Sequence, residues 1–312
     1  MSPTRVLVLG ASGMLGSMAA DYLSRDPGLE VTATVRSPGY LARGRRLLPD
    51  VRWTILDAVD PDFPGLPKIF DGQAWVINAV GLIKPLIREN DPAAVESAIR
   101  LNALWPHELA RIADCSGARV IQVATDCVYS GRKGRYAESE AHDPADVYGK
   151  SKSLGEVGAP GVVHLRSSLI GPEPRAPRSL LGWFLSQAIG ATVPGYVNHR
   201  WNGLTTLAFA KICRGLIAAG RPAQGFRHVV PADEVTKCEL LGLFRSSFRR
   251  PDIVVEPREA DATVDRTLAT EDGPANAALW RAAGYSGPPT IAGLVEELAA
   301  FDYRLGDLAA TP

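Results

Sequence analysis

The sequence is short of cysteine, lacks long apolar runs, and has no surplus of charge of either sign. Its four cysteines, Cys115, Cys127, Cys213 and Cys238, are scattered and lack metal-ligand spacing. That pattern excludes a disulfide framework, leaves no metal site to predict, and fits a reducing, cytoplasmic setting. At least three of the four read as buried or semi-buried thiols. No stretch approaches the roughly 18 apolar residues of a membrane span, so no membrane association is expected. Lys+Arg and Asp+Glu both total 34, which leaves no net basic charge to recruit nucleic acid or anionic lipid. The opening Met-Ser-Pro-Thr-Arg runs straight into a strand-like segment that carries a glycine pattern, so this run is read as fold and not as a secretion signal. Internal repeats and low-complexity segments are also missing.

What is present is enough for a substantial core: 312 residues, 46% of them hydrophobic. Through the first half, short Val- and Ile-rich runs alternate with helical patterns. Strands are expected at Arg5–Leu9, Glu30–Val35, Arg52–Leu56, Ala74–Val80, Arg119–Ala124 and Val162–Arg166. Helices are expected at Gly13–Arg25, Pro92–Cys115 and Val147–Gly158. Strands without polar alternation point to a sheet buried on both faces. The strand–helix alternation predicts an α/β, Rossmann-type, doubly wound parallel sheet over residues 1–168. From 169 to 312 the texture changes to a smaller α+β lobe expected to bind substrate, with a segment near 195–220 returning to the first domain. Within it, helical patterns lie at Ser179–Ile189, Leu204–Ala219, Asp233–Phe248 and Ile291–Phe301, with a strand at Ile253–Glu256. The tail Leu308–Pro312 is expected to fray.

Three stretches carry chemistry. The first is Gly10-Ala-Ser12-Gly13-Met14-Leu15-Gly16, directly after the first strand. Gly10 permits the tight turn, Gly13 lets the backbone approach a pyrophosphate, and Gly16 lets the helix pack on the sheet. The phosphate then meets free N–H groups at the helix N-terminus. The second is the end of the second strand, Thr34-Val35-Arg36-Ser37. A dinucleotide fold for NAD commonly carries an acid there, whereas Arg36 suits a 2′-phosphate and favours NADP(H), with NAD(H) still possible. Arg43, Arg45 and Arg46 read as a solvated helix face. Asp57, ending the third strand, is placed to bind the adenine amino group or to stabilise its own turn.

The third stretch is Tyr148-Gly-Lys-Ser-Lys152, which sets Tyr148 and Lys152 on one helix face. An ammonium beside a phenol stabilises the phenolate and lowers its pKa, so that the phenol exchanges a proton with a carbonyl or alcohol. Upstream, Val120–Ala124 ends a strand at Thr125 and Asp126, where an open α/β sheet binds its ligands. Thr125 is thereby placed to hydrogen-bond the reacting oxygen.

With these motifs the chain resembles the extended short-chain dehydrogenase/reductase family, and within it the nucleotide-sugar 4-ketoreductases of the dTDP-4-dehydrorhamnose reductase type. Beyond the glycine turn, the resemblance is carried by Asn78-Ala79-Val80-Gly81, Thr125-Asp-Cys-Val-Tyr-Ser-Gly131, Tyr136-Ala-Glu138, Val147–Glu156 and Leu165–Pro172. More loosely it runs from Gly203–Thr206 to Asp265-Arg266. It implies reduction of a nucleotide-linked 4-keto-6-deoxy sugar, in deoxysugar biosynthesis, with Tyr148 as proton donor and Thr125 polarising the keto group. Lys152 would tune the tyrosine and hold the nicotinamide ribose. Asn78, Ala79, Val80 and Gly81 would lie along the cofactor, Asn102 on the helix facing the site, and Leu169 near the nicotinamide. Asp126, Cys127, Trp183, Asn198, Arg200, Trp201 and Arg266 are the candidates for substrate binding. Ala124 departs from the serine usual in that place. Related dehydratases carry Asp-Glu after the threonine, and Cys127 in place of the glutamate makes dehydration an unlikely match. Cys127 also matches a cysteine used in epimerisation by the GDP-fucose synthase group, but the histidine that group needs is missing from Glu173–Arg178. Two alternatives stay open: an epimerase/reductase using Cys127, and an NADP-binding regulatory subunit without catalysis. The resemblance also implies a possible homodimer.

Overall fold

The computed structural model describes residues 2–59, 66–174, 177–220 and 224–306. The expectation for the tail at 308–312 lies outside the described residues. The central sheet has seven strands: β1 (Thr4–Leu9), β2 (Leu29–Val35), β3 (Arg52–Ile55), β4 (Trp75–Asn78), β5 (Arg119–Ala124), β6 (Val162–Arg166) and β7 (Gly225–His228). Their order is β7-β6-β5-β4-β1-β2-β3, and every pairing is parallel. The Rossmann-type doubly wound sheet is therefore present. Alternation along β1 explains why both faces are apolar. Val6 and Val8 enter one core with Met18, Leu23 and Phe209, while Leu7 and Leu9 enter the other with Phe70, Trp105 and Leu109. The strand order reverses between β1 and β4, which opens a crevice at the carboxyl ends there.

The flanking helices are α1 (Met14–Leu23), α2 (Pro38–Leu47), α3 (Pro92–Ile99), α4 (Trp105–Ser116), α5 (Val147–Leu154) and α6 (Thr206–Ala219). The segment expected as one helix over Pro92–Cys115 is interrupted by a π turn at Arg100–Leu104. Pro106 supplies the reason: it has no N–H, so the Asn102 carbonyl loses its ordinary helical donor and the backbone register loosens. The arginine-bearing segment after β2 folds as α2, with Ser37 as N-cap and Pro38 in its first turn.

The later half returns to the sheet through α6, which packs on α1, and through β7 at the sheet edge. The rest forms a small lobe. Thr192–Tyr196 pairs in parallel with Val254–Arg258, one residue later than the expected strand start at Ile253. His199–Trp201 sits between Val235–Thr236 and Val264–Asp265 in a three-stranded sheet. Helix α7 (Lys237–Ser247) begins immediately after Thr236, which closes a capping box with Glu239.

Candidate active site

The glycine turn is shaped by close approach. Gly10 has φ +80, and a Cβ on Gly16 would lie 2.3 Å from the Gly10 carbonyl oxygen, so α1 rests directly on the turn. Ser12 and Leu15 are buried within it, with Gly13 and Met14 half-buried at its mouth. Helix α1 starts with Gly13 as N-cap, no capping side chain and no acid in its first turn. Its first N–H groups are thus left for an anion, and the turn fits the pyrophosphate of a dinucleotide. A Cβ on Gly10 would meet the Ala79 carbonyl oxygen at 3.1 Å, which places the Ala79–Val80–Gly81 backbone along the same edge. Arg36 is exposed at the end of β2, and Asp57 accepts from the Val59 N–H at 3.1 Å, closing its own turn.

The loop after β4 is braced from behind. Asn78 is fully buried, donates to the Gln122 side chain at 2.8 Å, and accepts from the Val80 N–H and the Trp105 indole. Its side chain holds the loop and leaves the backbone to face the crevice. Asn102, inside the π turn, accepts from the Leu82 N–H at 2.8 Å and donates to the Leu82 carbonyl and to the Ser151 hydroxyl. One amide therefore ties the loop beside the glycine turn to the helix that carries Tyr148 and Lys152.

At the end of β5, Thr125 caps a single 3-10 turn, and its hydroxyl accepts from the Cys127 N–H at 3.2 Å. Helix α5 is started by Asp146, which accepts from the Gly149 N–H at 2.8 Å. A Cβ on Gly149 would lie 2.2 Å from the Cys127 carbonyl oxygen, so this glycine lets α5 lie against the Thr125 turn. The result brings the Thr125 hydroxyl beside the Tyr148 phenol, where it favours the phenolate against the effect of burial. Burial pushes the phenol well above its ordinary range, so Tyr148 stays protonated across the neutral range. Lys152 Nζ donates to the Val123 carbonyl at 2.8 Å, and burial lowers the ammonium to about 8 while Glu156 resists the shift. The expected lowering of Tyr148 by its lysine is not what the structure shows. The ammonium is turned toward β5, and burial dominates the phenol.

The candidates for substrate binding differ in their surroundings. Asp126 is buried and accepts from the Thr125 hydroxyl at 3.1 Å; burial raises its carboxyl while Arg266 and Lys237 pull it back. The Cys127 thiol is pushed up to about 12 by burial and by Asp126, which keeps it protonated and unreactive. Arg266 is half-buried, its Nε donating to the Tyr129 carbonyl at 3.1 Å. Trp201 is buried with no hydrogen-bond partner on its indole nitrogen among the described residues. Other candidates are spent elsewhere. Asn198 clamps Ala260 through both ends of its amide, Arg200 is exposed and paired with Glu234, and Trp183 and Leu169 are half-buried against the main core.

Lys237 was not among the sequence candidates, yet it stands beside Asp126, Cys127 and Arg266, with Nζ 5.7 Å from the Trp201 ring centroid. A signal existed. A lysine opening a helix is disfavoured by the helix dipole, and such a placement asks for another reason. A second contribution invisible in the motifs is the buried Arg166–Glu156 pair at 2.6 Å, which anchors the segment just past α5.

Fold and site together define a dinucleotide-fold protein with a Thr-Tyr-Lys centre at the carboxyl edge of its sheet. The chain belongs to the RmlD substrate binding domain family, which matches residues 4–160. It is 34% identical to a dTDP-4-dehydrorhamnose reductase of Streptomyces griseus over 50% of this chain and 46% of that one, so the match spans under half of that relative. It is 23% identical to methionine adenosyltransferase 2 subunit beta of Danio rerio over 79% of this chain and 75% of that one. Among solved structures, a dTDP-4-dehydrorhamnose reductase of Bacillus anthracis in complex with NADP superposes with a TM-score of 0.69 at 16% identity. That superposition covers 95% of this chain and 98% of the other. A UDP-glucuronic acid 4-epimerase of Bacillus cereus does so at 0.71 and 14% identity, over 96% and 99%. At these identities the structural likenesses speak for the fold. No helix among the described residues is long and apolar enough to cross a membrane.

Proposed function

We propose that this protein is an NADPH-dependent oxidoreductase that reduces the keto group of a nucleotide-linked sugar, the 4-keto-6-deoxy hexoses being the first substrates to try. The observation that carries this reading is the contact between Thr125 and a protonated, half-buried Tyr148, with Lys152 one helical turn on. The Gly10–Gly16 turn, the uncapped start of α1 and Lys152 would hold the cofactor, and Arg36 would meet its 2′-phosphate. When bound, the reduced nicotinamide supplies hydride. Thr125 hydrogen-bonds the carbonyl oxygen, and Tyr148 gives that oxygen its proton as the alcohol forms. Lys152, whose Nζ donates to the Val123 carbonyl, would hold a ribose hydroxyl of the cofactor.

The protonated thiol at Cys127 weighs against epimerisation, which needs a thiolate to take a proton from carbon. The reading as a non-catalytic subunit draws support from the breadth of the match to the Danio rerio subunit. Against it stands the intact Thr125–Tyr148 contact, which binding alone does not require. The deciding experiment follows NADPH oxidation with a panel of nucleotide-linked 4-keto sugars, neutral 6-deoxy and acidic forms both included, with Tyr148→Phe alongside. Loss of roughly 10²–10⁴-fold in turnover with cofactor binding intact is the expected result. Tight NADPH binding with no turnover on any sugar would give the subunit reading its case.

A further inference from the structure

The floor of the site holds more positive charge than a neutral sugar needs. Lys237 and Arg266 both act on Asp126, Arg266 also acts on Cys127 beside it, and Cys127 in turn acts on Lys237. Neither cation is in an ion pair among the described residues, and Lys237 Nζ makes no hydrogen bond there. The lobe brings them together by register. Thr236 and Asp265 both lie opposite Arg200 in the three-stranded sheet, and Lys237 and Arg266 are the residues that follow them. The stem of Arg266 runs over Gly131, where a Cβ would lie 2.9 Å from its Cγ, so the guanidinium is held at the Thr125–Gly131 turn. The other carboxylate acting on this region, Asp146, is already matched by Lys84 at 2.7 Å. Two cations thus face one buried carboxylate, and one positive charge is left over.

We propose that Lys237, with Arg266, binds a carboxylate carried on the sugar itself, so that the substrate is an acidic keto-sugar and not a neutral 6-deoxy one. The proposal rests on the nucleotide-sugar reading above and sharpens its substrate class. Position is the argument. Asp126, on which both cations act, is hydrogen-bonded to Thr125, the residue facing the reacting oxygen. A charge there meets the sugar ring. Desolvating an ammonium without a partner is costly, and a ring of hydroxyls does not repay it as an anion does.

The test is calorimetric titration of the NADP+-loaded protein with glucuronate and glucose, each linked to UDP and to dTDP. Wild type, Lys237→Met and Lys237→Arg are compared, with NADP+ affinity as the control for folding. Expected is a preference for the glucuronate forms that Lys237→Met reduces roughly 10- to 100-fold, the weight of one charge-assisted hydrogen bond, and that Lys237→Arg largely keeps. Equal losses for glucuronate and glucose forms would overturn the proposal and assign the cations to the diphosphate. No loss in either, or no binding of any of the four, would also overturn it. If the acidic preference and its dependence on Lys237 hold while no keto-sugar is reduced, the carboxylate site stands and the reductase reading alone falls.

Discussion

At Tyr148 and Lys152 one cause moves two residues in opposite directions. Burial raises the Tyr148 phenol and lowers the Lys152 ammonium to about 8, because in each case the charged form is the one disfavoured. Tyr148 is therefore protonated across the neutral range, as a donor must be. Lys152 is protonated below about 8 and loses its charge as the pH rises through that value. Since the ammonium is what would hold the ribose, kcat/KM for NADPH oxidation is expected to be flat toward neutrality and to fall above about 8. Lys152→Met should remove that alkaline limb and lower activity throughout. A limb that survives the substitution unchanged would belong to another group. The residues behind this were legible as a spacing, Tyr-x-x-x-Lys, but the burial that sets their protonation was not.

Helix α5 delivers those two side chains, and what positions it is a glycine. The Tyr148-Gly149 pair packs onto the Cys127 carbonyl so closely that an added methyl at position 149 would overlap it. Gly149→Ala is expected to push α5 away, at a cost of about 1–3 kcal/mol in stability. The same shift should lower kcat roughly 10²-fold by separating Tyr148 from Thr125. The loss should fall mainly on kcat, with a smaller loss of NADPH affinity because Lys152 rides on the same helix; an unchanged kcat would show that the contact is not needed. The opposite end of the helix depends on a second close approach, where a Cβ on Gly155 would lie 1.9 Å from the Asn102 carbonyl. That carbonyl is the one freed by Pro106, so a proline that reads as a local interruption serves a contact about fifty residues on in the chain.

Across the whole molecule the chain is closed by a latch. Asp21 on α1 is fully buried and accepts from Arg25 at 3.0 Å and from the Arg304 backbone N–H and Nε at 2.8 and 2.7 Å. Tyr303 donates to Ser17 at 2.6 Å on the same helix. The last described residues thereby grip the helix that follows the glycine turn. Asp21→Asn is expected to cost about 1.5–3 kcal/mol, because it weakens charge-assisted hydrogen bonds at a buried carboxyl. The readout is a lower thermal midpoint that NADPH only partly restores. A midpoint equal to that of the original protein would mean the latch carries no stability.

The sequence by itself determined the central sheet and the cofactor turn. Both rest on local rules: apolar runs of strand length, helices between them, and glycines where a backbone must turn or be approached. It also placed Thr125, Tyr148 and Lys152, since a strand end and a helix face are local features. Only the tertiary structure decided which distant side chains meet there. Both ends of the Asn198 amide bond Ala260, a partner that the lobe brings in from 62 residues away. Lys237 and Arg266 meet through strand register in a sheet whose strands are two or three residues long, too short to leave a periodic signal. Charge balance at a buried site depends on such long-range placement, which no local pattern in the sequence records.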